Sequence, residues 1–282
     1  MSNILKAIYN IVHQAERTTS NEAGTSHNRM NEMGGALEIY MKDAFSGSFQ
    51  VQNEQERNTI YSQNFSWLGN QNNPPDFMVR NGDAVEVKKI ESLNSDLALN
   101  SSYPKSKLTS DNLMITQGCR SCENWDIKDI IYSVGCVNRT VLRSLWMVYG
   151  SIYAAESETY ERIRTTISTG INSIPDVEFG ETKELGRVNR VDPLGITNLR
   201  IRGMWSIQNP RRVFSYIQPP QNNVTFELVS IIPDEKYNSF DEESKLQLEG
   251  INVEGFAILN VQVRNPNNPA NLIQAKLIKY II

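Results

Sequence analysis

The sequence predicts a mixed α/β fold. Three observations carry that reading: two amphipathic helical segments near the N-terminus, an acidic hairpin between residues 76 and 90, and a succession of short β-like stretches reaching residue 264. Residues 4 to 17 and 31 to 45 have helical periodicity; in the second, Asn31 can cap, and Met33, Leu37, Met41, Ala44 and Phe45 recur at helical spacing. A polar loop separates them. The run Asn70-Gln71-Asn72-Asn73-Pro74-Pro75 is a breaker, and it delivers the chain into two apolar segments, 76 to 80 and 83 to 90, divided by Asn81-Gly82. Ile127 to Val134, Leu142 to Ala154, Leu199 to Trp205, Thr225 to Ile232 and Gly255 to Arg264 then read as β-like, with a helical stretch from Glu156 to about Ile171.

A chain of 282 residues is long enough to bury a full hydrophobic core, and one elaborated domain is expected. No stretch approaches the apolar length of a membrane span, and no glycine-rich phosphate loop occurs, so neither a membrane nor a nucleotide cofactor is expected. The N-terminus lacks the long apolar run of a signal peptide, which makes the cytoplasm the expected compartment. Cys119 and Cys122 have zinc-knuckle spacing, but with Cys136 they leave a four-ligand site one short. A net charge of −4 argues against coating nucleic acid by bulk electrostatics. Locally the balance inverts: Arg187, Arg190, Arg200, Arg202, Arg211 and Arg212 face a single acid, Asp192, within their span. That concentration is a candidate contact surface.

The hairpin carries the chemistry. Glu86 and Lys88, two apart on a strand, point to one face. Whether Asp76 joins them depends on the turn. With a two-residue loop Phe77 lies opposite Glu86 and the site is split; with a three-residue loop, Arg80-Asn81-Gly82, Val79 pairs with Asp83 and Asp76 lies opposite Glu86. The three-residue turn, with glycine left-handed in a bulge, is the expectation. It puts the two Cβ atoms about 5 Å apart, close enough to share a metal ion. Phe77, Val79, Val85 and Val87 imply burial on at least one side, where two opposed carboxylates repel unless a cation separates them. Carboxylate oxygens suit Mg2+, and an ammonium nearby can orient water or offset negative charge, a set suited to phosphodiester hydrolysis.

Pro75-Asp76 followed ten residues later by Glu86-Val87-Lys88 is similar to the PD-(D/E)xK nuclease motif. The wider text from Phe65 to Asp76, from Glu86 to Ser102, and Val191-Asp192-Pro193-Leu194-Gly195-Ile196 resembles type II restriction endonucleases of the NgoPII type, over most of the chain. The resemblance implies a restriction-endonuclease-like core, a central mixed sheet flanked by helices. It also implies Mg2+-dependent cleavage of double-stranded DNA at GGCC, with Asp76 and Glu86 as metal ligands and Lys88 as the water-orienting lysine. A further acid on a preceding helix is common in such enzymes, and Glu38, one turn after Gly34-Gly35, is the candidate. On this reading residues 1–282 form one nuclease domain, with a catalytic core at about 30–170 and DNA-recognition elements at about 180–282.

Guanine O6 and N7 are read by the arginine fork. Arg200 and Arg202 alternate with Leu199 and Ile201, which places both on one face of a strand and makes them the candidates for base contacts. Arg211 and Arg212, after Asn209-Pro210, are candidates for phosphate contacts from a loop. Ser101, Ser102, Lys105 and Lys107 suit backbone positioning. A palindrome is most simply read by a two-fold symmetric homodimer. Competing readings are a structure-specific or repair nuclease on the same core, and a DNA-binding protein of this fold without chemistry.

Overall fold

The computed structural model describes residues 2–14, 29–70, 73–99, 102–112, 114–221 and 224–282, with the backbone alone for 29–34. Helix α1 (Ile4–His13) begins at Asn3, whose side chain accepts the Lys6 N–H, and turns Ile4, Leu5, Ile8 and Ile11 into the core. Helix α2 runs Arg29–Ser46, so Asn31 lies inside it and is not its cap. Helix α3 (Glu54–Asn64) is capped by Asn53 and buries only Tyr61, a face too narrow to announce itself in the sequence.

Strands β1 (Phe65–Trp67), β2 (Phe77–Val79) and β3 (Ala84–Ile90) open the central sheet. After them come β4 (Leu97–Ala98), β5 (Lys107–Thr109) and the one-turn α4 (Gln117–Arg120). The long hairpin β6 (Ile127–Asn138) and β7 (Val141–Tyr149) supplies the sheet's middle. The expected strand Leu142 to Ala154 ends early, at α5 (Gly150–Tyr153). At Gly150 a Cβ would lie 2.4 Å from the Lys105 carbonyl oxygen, an approach only glycine permits.

Helix α6 (Ser157–Asn172) leads to β8 (Glu178–Phe179), β9 (Gly186–Asn189) and β10 (Leu199–Ile201), a separate three-stranded sheet. Strand β11 (Ser206–Ile207) pairs with β4. The chain then runs through α7 (Pro210–Val213), β12 (Glu227–Pro233), α8 (Asp234–Ser239) and α9 (Glu242–Glu249) to a terminal hairpin of β13 (Phe256–Arg264) and β14 (Leu272–Ile281).

The central sheet has the order β1-β2-β3-β6-β7-β12-β14-β13, with β5 added alongside β6. It is mixed: β3 runs parallel to β6 and β7 parallel to β12, while its other pairs are antiparallel. This is a mixed α/β architecture with a restriction-endonuclease-like central sheet flanked by helices. Helix α2 covers the face bearing Phe77 and Gly135. Phe45 meets the Phe77 ring edge-on at 5.5 Å, and a Cβ at Gly135 would lie 2.6 Å from a Leu37 methyl. The opposite face, carrying residues 86, 88 and 132, is left for a cleft. Among the described residues no helix is long and apolar enough to cross a membrane.

Candidate active site

The hairpin register is Phe77 to Val85 and Met78 to Ala84. Val79 N–H bonds the Asp83 carbonyl at 2.9 Å and Asp76 N–H the Val85 carbonyl at 3.1 Å, so the same register carries Asp76 opposite Glu86. The turn reaches this register in a different way from the expected one. Its left-handed residue is Asn81, at φ 54°, and Gly82 is not left-handed but closes the turn through its N–H to the Val79 carbonyl. Asparagine tolerates that region better than other side chains. Glu123 accepts the Asn81 N–H at 2.9 Å and Lys128 donates to the Gly82 carbonyl at 2.6 Å, which pins the turn from outside.

Strand β2 begins at Phe77, and just before it the Asp76 carboxylate accepts the Val87 N–H at 2.6 Å, continuing the ladder with a side chain. Gly69, at φ 82°, lies so close beneath that a Cβ would come within 2.0 Å of the Asp76 carbonyl oxygen. Lys88 donates to Glu86 Oε1 at 2.6 Å. Glu86 Oε2 is buried and has no hydrogen-bond partner among the described residues. A cleft of about 200 Å³ is lined by Asp76, Glu86 and Lys88 together with Asn73, Lys105 and Tyr132.

Burial, and after it the neighbouring Glu86 charge, pushes the Asp76 carboxyl up to about 7. Burial works against the Lys88 charge, but Glu86 and then Asp76 outweigh it and hold its ammonium above the ordinary lysine value. Among the described residues no group of three or more His, Cys, Asp and Glu side chains is arranged to hold a metal. The donors that fit one are the two opposed carboxylates, one with an orphaned buried oxygen. Glu38 is near enough for its charge to act on Asp76 and Lys88, yet its Oε1 is held by Lys42 at 2.6 Å.

The candidate DNA contacts separate. Arg200 and Arg202 do converge, on an acid the sequence reading missed. Glu184 Oε1 lies 2.9 Å from Arg200 and 2.7 Å from Arg202, and its Oε2 accepts from Arg200 Nε at 3.1 Å. Arg211 is a correction. It is buried on the one-turn α7, with its Nε 2.7 Å from Glu227 Oε1, and cannot reach a phosphate from there. Glu227 also accepts from Ser144 and Trp146, which makes it the centre of a core network.

Arg212 is exposed and pairs with Asp96 at 2.9 Å. Lys107 is exposed and 3.6 Å from Asp129. Ser102 lines the cleft, and Lys105 is buried beside it rather than displayed outside. Ser101 lies outside the described residues. The Cys119 thiol lies 3.6 Å from the Met78 sulfur, and Cys122 donates to the Cys119 carbonyl, so neither thiol is turned toward a shared ligand. Tyr132 and Glu184 gave no local signal: one sits in an apolar strand, the other in a polar loop.

Comparisons with known proteins place the chain in a family. The family model described as NgoPII restriction endonuclease matches residues 2–264. The chain is 50% identical over 279 residues to the type II restriction enzyme NgoPII of Neisseria gonorrhoeae, covering 99% of each chain. No solved structure matches it. With so extensive a match, and with the hairpin acids on one face of a mixed sheet, the chain belongs to the NgoPII restriction endonuclease family.

Proposed function

We propose that this family member is a Mg2+-dependent type II restriction endonuclease that acts in the cytoplasm as a homodimer and cuts double-stranded DNA at GGCC. The observation that carries the reading is the opposition of Asp76 and Glu86, with Glu86 Oε2 buried and without a hydrogen-bond partner among the described residues, beside the Lys88 ammonium. Two like charges held together at that depth repel unless a cation or a proton separates them, and hard carboxylate oxygens suit Mg2+. When bound, such an ion supplies a Lewis acid for a phosphoryl oxygen and acidifies bound water.

The chain's own groups do the rest. Asp76 and Glu86 hold the ion, and the Val87 N–H fixes the Asp76 carboxylate in place. Lys88, held by Glu86, stands where it can orient the attacking water. Glu38 bears on the same site through charge and reaches it directly only if Lys42 releases it. Arg200 and Arg202 are assigned to base contacts, and Arg212, Ser102 and Lys107 to the phosphate backbone. The proposed division is one domain with a catalytic core at about 30–170 and reading elements at about 180–282, the second part also contributing β12 to β14 to the central sheet. A two-fold symmetric site is met by two copies, each cutting one strand.

A plasmid digest in Mg2+ with sequencing of the fragment ends tests the reading. Discrete ends at GGCC are expected, with no cutting by Asp76→Ala or Glu86→Ala and with cognate binding retained in Ca2+. A smear, or selective cutting of branched DNA, replaces it with a structure-specific nuclease. Metal-indifferent binding without nicking replaces it with a DNA-binding protein.

A further inference from the structure

We propose that Lys105 is a second catalytic lysine of this site, its ammonium contacting a non-bridging oxygen of the scissile phosphate. The inference rests on the nuclease reading above and goes beyond it. Three lysines are buried among the described residues: Lys42, Lys105 and Lys128. Lys42 pairs with Glu38 and Lys128 with Glu123, as a buried charge requires. For Lys105, no carboxylate lies within salt-bridge distance among the described residues. Its ammonium meets Ser102 Oγ, the Tyr103 carbonyl at 3.4 Å and the Tyr103 ring at 5.5 Å, all uncharged. Burial accordingly draws it down to about 8, with Glu86 acting in the opposite sense.

This uncompensated cation sits in the wall of the cleft that holds Asp76, Glu86 and Lys88. The chain around it is firmly placed. Tyr132, the neighbour of Glu86 on the adjoining strand, accepts the Lys105 N–H at 2.7 Å and donates its hydroxyl to the Lys105 carbonyl at 3.2 Å. Gly150 closes on the same carbonyl from the other side, in space that any Cβ would fill. A preorganised cation facing a site that takes an anionic substrate is worth most where charge grows during reaction, on the phosphoryl oxygens. Lys88 is already engaged by Glu86, so the two ammonium groups have different tasks: Lys88 for the water, Lys105 for the phosphate.

The test uses Lys105→Met, which keeps the stem and removes the charge, and Lys105→Arg, which keeps the charge. The bond cut by the native enzyme is located first by sequencing fragment ends. Lys105→Met is expected to melt no lower than the native protein, because an uncompensated buried charge is gone, and to lose about 10²–10³-fold in single-turnover cleavage. Lys105→Arg should recover at least about tenfold of that loss.

Binding in Ca2+ to a duplex with a neutral methylphosphonate at the cut position gives a readout independent of turnover. The penalty relative to ordinary DNA should be about tenfold larger for the native protein than for Lys105→Met, the signature of a direct contact. Equal penalties, or cleavage by Lys105→Met within about threefold of native, overturn the assignment. Plasmid left uncut by the native enzyme overturns the nuclease reading and this proposal together. Discrete fragments produced equally by native protein and Lys105→Met overturn this proposal alone.

Discussion

Asp76 and Glu86 stand opposite each other across the β2–β3 hairpin, and the N–H of Val87, next along β3, bonds the Asp76 carboxylate at 2.6 Å. One short stretch of ladder therefore fixes both acids. The consequences extend from pH dependence to the tolerance of a neighbouring glycine.

The Asp76 carboxyl, raised to about 7, holds a proton in the metal-free fold that the unfolded chain releases in the ordinary carboxylate range. Stability of the metal-free protein therefore falls as pH rises through that window, and the loss is complete above about pH 7. Asp76→Asn should be more stable than the native protein by about 1–3 kcal/mol near pH 8 in chelator, and equal to it near pH 4. Urea melts at the two pH values measure this. A variant less stable than native at the higher pH contradicts it.

Gly69 has both a left-handed φ of 82° and the Asp76 backbone where a Cβ would go. Gly69→Ala should cost at least about 2 kcal/mol and displace Asp76, so that cleavage falls further than the folded fraction does. Thermal melts and cleavage rates, compared at a temperature where the variant is folded, separate the two effects. Native-like cleavage would mean that the hairpin absorbs the shift.

Glu184 holds Arg200 and Arg202 side by side while each arginine side chain remains more than half exposed. If they read guanine, replacing either with Ala should cost about 1–3 kcal/mol on cognate DNA and relax discrimination at one base pair. Binding to cognate and single-mismatch duplexes across a salt series decides it. A uniform loss with a salt slope shallower by about one unit would make them phosphate contacts instead.

Arg211 belongs to stability rather than to DNA. Arg211→Ala strands the buried Glu227 carboxylate and should cost about 3–5 kcal/mol. Arg211→Met combined with Glu227→Gln should cost less, and DNA affinity per folded molecule should stay level. Denaturant melts beside binding titrations check both. An unchanged melt with a shallower salt slope would return Arg211 to the DNA surface.

Short-range geometry made much of the site legible. The distance from Asp76 to Glu86 and the length of the Arg80-Asn81-Gly82 turn are properties of one continuous segment, and alternation decides which side chains share a face. Leu199 and Ile201 placed Arg200 and Arg202 together by the same rule. Strand β14 was not legible, because its apolar residues do not alternate cleanly along Leu272–Ile281.

Residues brought together from distant parts of the chain were decided by tertiary structure alone. Lys105 enters the cleft because Tyr132 and Gly150 hold its peptide; Arg211 is withdrawn because Glu227 waits in the core; and Glu184 gathers two arginines from sixteen residues downstream of it and beyond. Even the left-handed place in the turn went to Asn81, with Glu123 and Lys128 bracing it from outside the hairpin. The physical reason is common to all four. Burial and charge pairing depend on which surfaces packing brings into contact, and local periodicity carries no record of that.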